Sequence, residues 1–342
     1  MKHLALLALL ATPVALLHAQ TEQTIIDRSQ QPAPPPAQPA AQAGVTVAPG
    51  DADAGNQRIA EPRKLPVKFT FAYDAQFYSV NNVNLAPSGT AKEDALILSN
   101  ALSVSAEFHS MAVGPGVLTP SIGLSFQRFN HGIGNGNTYN DLDFDSYSIP
   151  LSLRYRFGAN WDATLGVNTN AVYSLDGSAA GYHEIFRSYS PSLGLHKLIS
   201  LSQNQILSLG TGLSYAYTKS DRDSVPAGFT PFRDDRNDKW DASLDAAYYY
   251  LHGQWTVGPY ARIGYSYYLH YQESALLPPA VNVDRQDLTF SVGLSVTYAI
   301  TPWASARVFT SFEDRESLGD SAFDYGYSNT NAGLGLTLSA SY

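Results

Sequence analysis

Between Asp287 and Ile300 the chain alternates without a break. Leu288, Phe290, Val292, Leu294, Val296, Tyr298 and Ile300 hold one parity, and Asp287, Thr289, Ser291, Gly293, Ser295 and Thr297 hold the other. In an extended chain successive side chains point to opposite faces, so this segment is a strand with one apolar and one small, polar face. A strand of a soluble sandwich also alternates, but its polar face meets bulk water and carries long charged side chains. Here that face is Ser, Gly and Thr, which suits a crowded or water-filled interior, while the unbroken apolar face suits lipid.

The same alternation recurs along the chain. It predicts strands near Val67–Val80, Leu96–Ser110, Val117–Phe129, Ser146–Phe157, Trp161–Leu175, Arg187–Leu198, Ile206–Thr218, Trp240–Leu251, Trp255–His270, Asp287–Ile300, Trp303–Glu313 and Tyr327–Tyr342, twelve in all. Their connections alternate in length. Short ones fall at Gly114–Gly116, Gly158–Asn160, Ser200–Asn204, Gly253–Gln254 and Thr301–Pro302. Long polar ones are Asn82–Asp94, Asn130–Asp145, Asp176–Glu184, Lys219–Lys239, Tyr271–Gln286 and Arg315–Gly326. A sandwich has no reason for this asymmetry. An all-β, closed, antiparallel up-and-down transmembrane barrel of about 12 strands, with short periplasmic turns and long extracellular loops, requires it. Aromatics sort the same way. On the outward parity Trp161, Trp255 and Trp303 each open a strand leaving a short turn, with Tyr155, Phe157, Tyr250, Tyr298 and Tyr342 at that end. Tyr73, Phe77, Tyr173, Tyr215, Tyr217, Tyr265, Tyr267 and Trp240 lie toward the other.

Bulk composition conceals this. The 342 residues are 44% hydrophobic and 15% charged, with slightly negative mean hydropathy, a soluble profile. A membrane strand, however, needs only about 10 residues, half of them apolar, where a helix needs about 18 or more. Zero cysteines exclude a disulfide framework and a lipoprotein anchor, and a net charge of −9 disfavours nucleic acid, whose phosphates require Lys and Arg clusters.

Residues 1–19 read as a cleaved signal peptide, with Lys2 and His3 before the apolar run Leu4 to Leu17 and Ala19 at the cut. Residues 20–65, rich in Gln, Ala and Pro (Pro32, Pro34, Pro35, Pro36, Pro39), read as a disordered periplasmic linker. The barrel is expected over 66–342.

The chain ends Asn331-Ala-Gly-Leu-Gly-Leu-Thr-Leu-Ser-Ala-Ser-Tyr342, with Leu334, Leu336, Leu338 and Tyr342 on one parity. This resembles the C-terminal signature of bacterial outer-membrane β-barrels, with Tyr342 in place of the more usual Phe and Ala340 where an aromatic is common. The resemblance covers about four fifths of the chain. It implies localisation in the outer membrane, recognition of the last strand by the barrel-assembly machinery, and outer-membrane lipid and lipopolysaccharide as surroundings. It names no solute.

Ionisable residues on the inward parity are the candidate functional set: Lys68, Asp74, Glu107, Arg154, Arg156, Asp162, Asp241, Asp245, Arg262, Asp287, Arg307 and Glu313. A two-residue turn at Gly253-Gln254 places Asp245 opposite Arg262, and a compact turn at Gly158–Asn160 places Arg156 opposite Asp162, pairs that would neutralise each other in the wall. Inward His109 and His196 have no accompanying nucleophile motif, and Asp234, Asp235 and His270 are too generic for a protease rim, so no catalytic residues are expected. Asp141, Asp143 and Asp145 have a calcium-like spacing without the Gly and distal Glu of a binding loop, and read as solvated loop; no metal or cofactor is assigned. The loop Lys219–Lys239, in which Asp221, Arg222, Asp223, Arg233, Asp234, Asp235 and Arg236 nearly cancel, reads as solvated surface or a lid over the mouth. The expected function is a passive pore or channel for small solutes or ions, the alternative a non-conducting scaffold or adhesin presenting its six loops. Neither is an enzyme.

Overall fold

The computed structural model describes residues 24–30, 67–87, 91–133, 139–158, 160–175, 181–220, 233–270, 284–319 and 325–342. The expected signal peptide, most of the expected linker and several loop tips, including Asp221, Arg222 and Asp223, lie outside the described residues.

Strands β1 (Val67–Val80), β2 (Ala95–Phe108), β3 (Met111–Val113), β4 (Gly116–His131), β5 (Phe144–Phe157), β6 (Trp161–Ser174), β7 (His183–Ser202), β8 (Gln205–Ser220), β9 (Lys239–His252), β10 (Trp255–Tyr268), β11 (Gln286–Thr301), β12 (Ala304–Leu318) and β13 (Tyr327–Ser341) form one antiparallel sheet. Twelve are long. β3 is a three-residue strand in the connection before β4 and pairs with β4 alone. The sheet closes because β1 pairs with both β2 and β13, from Thr70 opposite Ser341 to Val80 opposite Asn331, while β2 passes the ladder on to β4. Closure leaves no open edge, so each long strand pairs on both sides; that is what permits strands in hydrocarbon, where no water replaces a missing hydrogen bond. Followed from partner to partner once around, the register advances about 18 residues. For strands 4.8 Å apart rising 3.3 Å per residue, that is a tilt of about 45° and a backbone radius of about 13 Å. A 14-residue strand at that tilt spans about 32 Å, enough to cross the hydrocarbon core.

The outer face identifies the solvent. Leu102, Leu124, Leu165, Leu193, Leu244, Val308 and Leu334, from seven strands, each expose more than half of their surface, and Phe69, Phe71, Phe77, Ile149, Val167, Ile263 and Phe290 more than two fifths. Their parity partners point inward. A continuous apolar belt around a closed sheet cannot rest in water and requires acyl chains; the chain is a transmembrane β-barrel. Tyr342 lies on this face with its ring edge against Phe71, and Leu334, Leu336 and Leu338 stand in the same row. The short turns use left-handed backbone where a two-strand reversal demands it, at Gly158 (φ 52°), Asn160 (φ 62°) and Gly253 (φ 59°).

Several strands outrun their alternation. β7 starts at His183 and runs to Ser202, and β12 continues to Leu318, five residues beyond Glu313. Above the lipid both faces of a strand meet polar surroundings, so the ladder persists after the apolar-polar contrast has ended.

The largest departure is near the N-terminus. Residues 24–30, expected as part of a disordered periplasmic linker, form a short helix, α1, inside the barrel at its long-loop end. Ile25 and Ile26 are buried with Val80, Val83, Ala95, Ile97, Leu142, Phe144, Val172, Ile185 and Phe186 in the apolar core cluster. Those residues are inward-facing ends of β1, β2, β5, β6 and β7 and the loops above them. Their apolar character is unexplained by an aqueous lumen and is explained by the helix they cover.

Candidate functional site in the barrel lumen

Inward positions on β6, β7 and β8 are small: Thr164, Gly166, Asn168, Asn170, Ser188, Ser190, Ser192, Gly194, Ser208, Gly210, Gly212 and Ser214. Opposite them β1, β12 and β13 carry Tyr78, Phe309, Arg307 and Tyr327 inward. Small staves on one side and bulky ones on the other leave an off-centre cavity of about 710 Å³, bounded above by Asp27, Ser29 and Gln30 of α1 and lined by Asn168, Ser192, His196, Asp241, Asp245, Arg262, Glu313 and Arg315 among others.

The predicted charges fall into three tiers. Toward the short turns, Lys68 stands opposite Glu107, Glu107 meets Arg154 at 3.4 Å, reaching over β4 between them, and Arg156 meets Asp162 at 3.2 Å as the turn geometry predicts. These groups are partly exposed and keep much of their hydration. At mid-height Arg307, its side chain almost fully buried, bonds Asp74 at 3.1 Å. Asp74 also accepts from Thr337 Oγ1 and Gln76 Nε2, both at 2.5 Å, and Gly335 leaves the space in which the Arg307 stem lies. Here too Arg262 stands opposite Asp245 in the register, but the two do not meet. The Asp245 carboxylate leans the other way, over Gly210, in the space that a Cβ there would need. Among the described residues neither Arg262 nor Asp245 forms an ion pair, and Arg262 is exposed to the lumen.

At the long-loop end the charges are dense. Asp241 accepts from Ser266 at 2.5 Å and pairs with Lys239 at 3.1 Å. Asp287 accepts from Ser317 and is paired with Arg285 at 2.6 Å, while Arg315 lies 3.8 Å away. Glu313 accepts from Tyr327 at 2.5 Å and from Ser291 at 3.3 Å. Arg285 is fully buried between the rings of Tyr268 and Tyr325, 4.1 and 3.6 Å from their centroids. Burial opposes its charge, but the stacked tyrosines and Asp287 together hold its pKa above the ordinary arginine value. Into this group α1 inserts Asp27, 2.7 Å from Arg315.

Sequence reasoning missed Lys239, Arg285 and Arg315. A signal is present: Arg315 has the parity of Glu313 and lies two residues beyond it, past the point where alternation fades. Asp27 had no local signal. The three spaced aspartates do not converge. Asp143 accepts from the backbone N–H of His131 and from Asn130, while Asp145 is bonded bidentately by Arg128 on the outer face at 2.7 Å. No metal-binding cluster occurs among the described residues. In the loop above β9, Arg233 pairs with Asp235 at 2.7 Å and holds that carboxyl below its ordinary value; His270 lies 3.6 Å from Asp235 and 3.7 Å from Asp238.

No protein-family model matches the sequence, and no curated protein sequence does. Solved structures similar in fold include an outer-membrane channel from Pseudomonas putida F1, 14% identical over 82% of this chain and 99% of that one, with a TM-score of 0.45. The translocator domain of the autotransporter NalP from Neisseria meningitidis is 11% identical over 80% of this chain and 88% of its own, with a TM-score of 0.40. The NanC porin is 10% identical over 78% and 98%, also with a TM-score of 0.40.

Proposed function

We propose that the protein is a passive pore for small hydrophilic solutes across the outer membrane. The observation that carries this reading is the off-centre, Ser/Thr/Asn/Gly-lined cavity of about 710 Å³ running beside unpaired Arg262 and Asp245. A barrel whose only role is anchorage gains stability from filling its lumen, because close-packed side chains recover the dispersion contacts that a void forfeits. Here three neighbouring staves instead carry residues too small to fill it. Arg262 and Asp245, one of each sign lining the cavity, favour neither a strongly anionic nor a strongly cationic solute. Export by the N-terminal signal peptide, assembly through the C-terminal strand, and lipopolysaccharide around the outer belt belong to the same reading.

Purified protein in planar bilayers is expected to show stepwise conductance once its outer mouth is cleared. The competing reading, a non-conducting scaffold presenting loops, is favoured by one observation, the presence of α1 in that mouth. A barrel lacking residues 20–40 separates the two: steady conductance supports a pore, and silence from an assembled barrel supports the scaffold.

A further inference from the structure

α1 is held by more contacts than a passing terminal segment needs. Arg28 is buried and donates from Nε to the Val83 carbonyl at 2.8 Å and from Nη2 to the Asn82 carbonyl at 2.6 Å. Asn82 is itself locked, its side chain bonding the backbone of Ala86 and of Ser328. Thr24 reaches the Asn84 carbonyl at 3.4 Å. On the far side Asp27 crosses to Arg315 of β12, which also donates to the Tyr325 carbonyl. The two isoleucines fill an apolar socket made by five strands. One short helix therefore joins the β1–β2 loop, the socket on β1 to β7 and Arg315 on β12, across the lumen from one wall to the other.

The socket makes the arrangement specific. Val80, Ile97, Phe144, Val172 and Phe186 face inward at the outer mouth as one contiguous apolar cluster. Apolar side chains lining an aqueous opening stay unfavourably hydrated until something apolar covers them, and Ile25 and Ile26 of the same chain cover them here. The ion pair adds a specific contact to the shape. Lys239, Arg285 and Arg315 are matched in number by Asp241, Asp287 and Glu313, but the nearest of these carboxylates to Arg315 is Asp287 at 3.8 Å, whereas Asp27 meets it at 2.7 Å. Geometry also permits the path. Residues 31–66 link α1 to β1, which starts at the short-turn end. At about 3.3 Å per residue, 36 residues reach well beyond the 30 Å or so of the hydrocarbon core.

We propose that residues 24–30 are a built-in plug: the N-terminal segment enters the lumen and closes the outer mouth of the pore, and solute passes only when it leaves its socket. This rests on the pore reading above. A plug tethered at one end can be withdrawn without breaking any ladder bond of the barrel, so opening and unfolding are separate events.

The test uses the absence of native cysteines. The mature chain carrying Asp27→Cys and Arg315→Cys is treated with a short thiosulfonate cross-linker that a reductant can cleave, and assembly is checked by heat-modifiable mobility in gels. The cross-link is expected to form within one chain, the linked pore to stay closed, and reductant to restore brief openings. Ile25→Asp with Ile26→Asp is expected to raise open probability at least tenfold, and deletion of residues 20–40 to give a steadily open pore. If both thiols react with a monofunctional reagent but never with each other, the plug is overturned while the pore reading stands. Intact protein conducting as freely as the deleted chain overturns it likewise. If the cross-link forms but the deleted barrel is silent, the pore reading itself falls, and gating with it.

Discussion

Replacing Arg307 with methionine tests whether the lumen wall depends on the ion pair at its mid-height. Arg307 is almost fully buried, packed in the space above Gly335 and bonded at 3.1 Å to Asp74, which retains about a fifth of its exposure toward the lumen. Removing one partner of a buried pair typically costs about 3–5 kcal/mol, because the other charge is left uncompensated. Asp74 keeps two further donors, Thr337 and Gln76, and some water, so the expected loss is smaller, about 2–3 kcal/mol. Methionine preserves the stem volume and separates this term from a cavity. The double change Arg307→Met with Asp74→Asn removes both charges and should recover at least half of the loss. Urea unfolding from phospholipid vesicles measures it. The four tryptophans, Trp161, Trp240, Trp255 and Trp303, serve as the signal, since they sit at or beside strand ends. A single mutant whose midpoint matches the parent, or a double mutant worse than the single, would refute the pairing.

Three further outcomes follow from the same geometry. Leu244→Arg, on the lipid face near mid-strand, should cost about 2–4 kcal/mol in the same unfolding assay, whereas the neighbouring Ser243→Arg, directed into the cavity, should leave stability nearly unchanged and alter ion selectivity. Gly333→Ala should destabilise by about 1–3 kcal/mol and lower the yield of folded barrel, because its Cβ would collide with the Phe77 carbonyl and Tyr78 Cβ on β1, at the seam that closes the sheet. Asp235 has its carboxyl lowered chiefly by the hydrogen bond from Arg233. A lowered folded value means that its contribution is fully present above the ordinary carboxylate range near pH ~3.9 and is lost as pH falls through the lower folded value; the amide protection factors of residues 233–238, taken relative to the intrinsic rate at each pH, should therefore hold at pH 5 and fall only on further acidification, and Arg233→Ala should shift that onset upward.

Much of the wall was legible because lipid on one side and a wet interior on the other impose a two-residue period on every strand. Leu288 to Ile300 needed no tertiary information to be placed, and the Gly253 and Gly158 turns set the partners of Asp245 and Asp162 through backbone geometry alone. Where the period fades the sequence no longer separates the two: Arg315 and Lys239 have the surroundings of loop residues, because above the lipid a paired strand and a polar loop have similar composition. The direction a side chain takes once its register is known was also hidden. Asp245 turns toward Gly210 rather than Arg262, a choice made by the space that a glycine leaves on the neighbouring strand.

What the sequence determined by itself is therefore the sheet: twelve paired long strands, their order, their faces and the membrane as solvent, since each follows from local alternation and turn length. What only the tertiary structure decided is the interior. Two isoleucines and an Asp-Arg pair in a Pro-rich segment carry no periodic signal, and their partners lie from 54 residues onward in the chain, on strands and loops brought together by closure. Contacts across a lumen depend on the size and tilt of the whole barrel, so no window of the chain contains them.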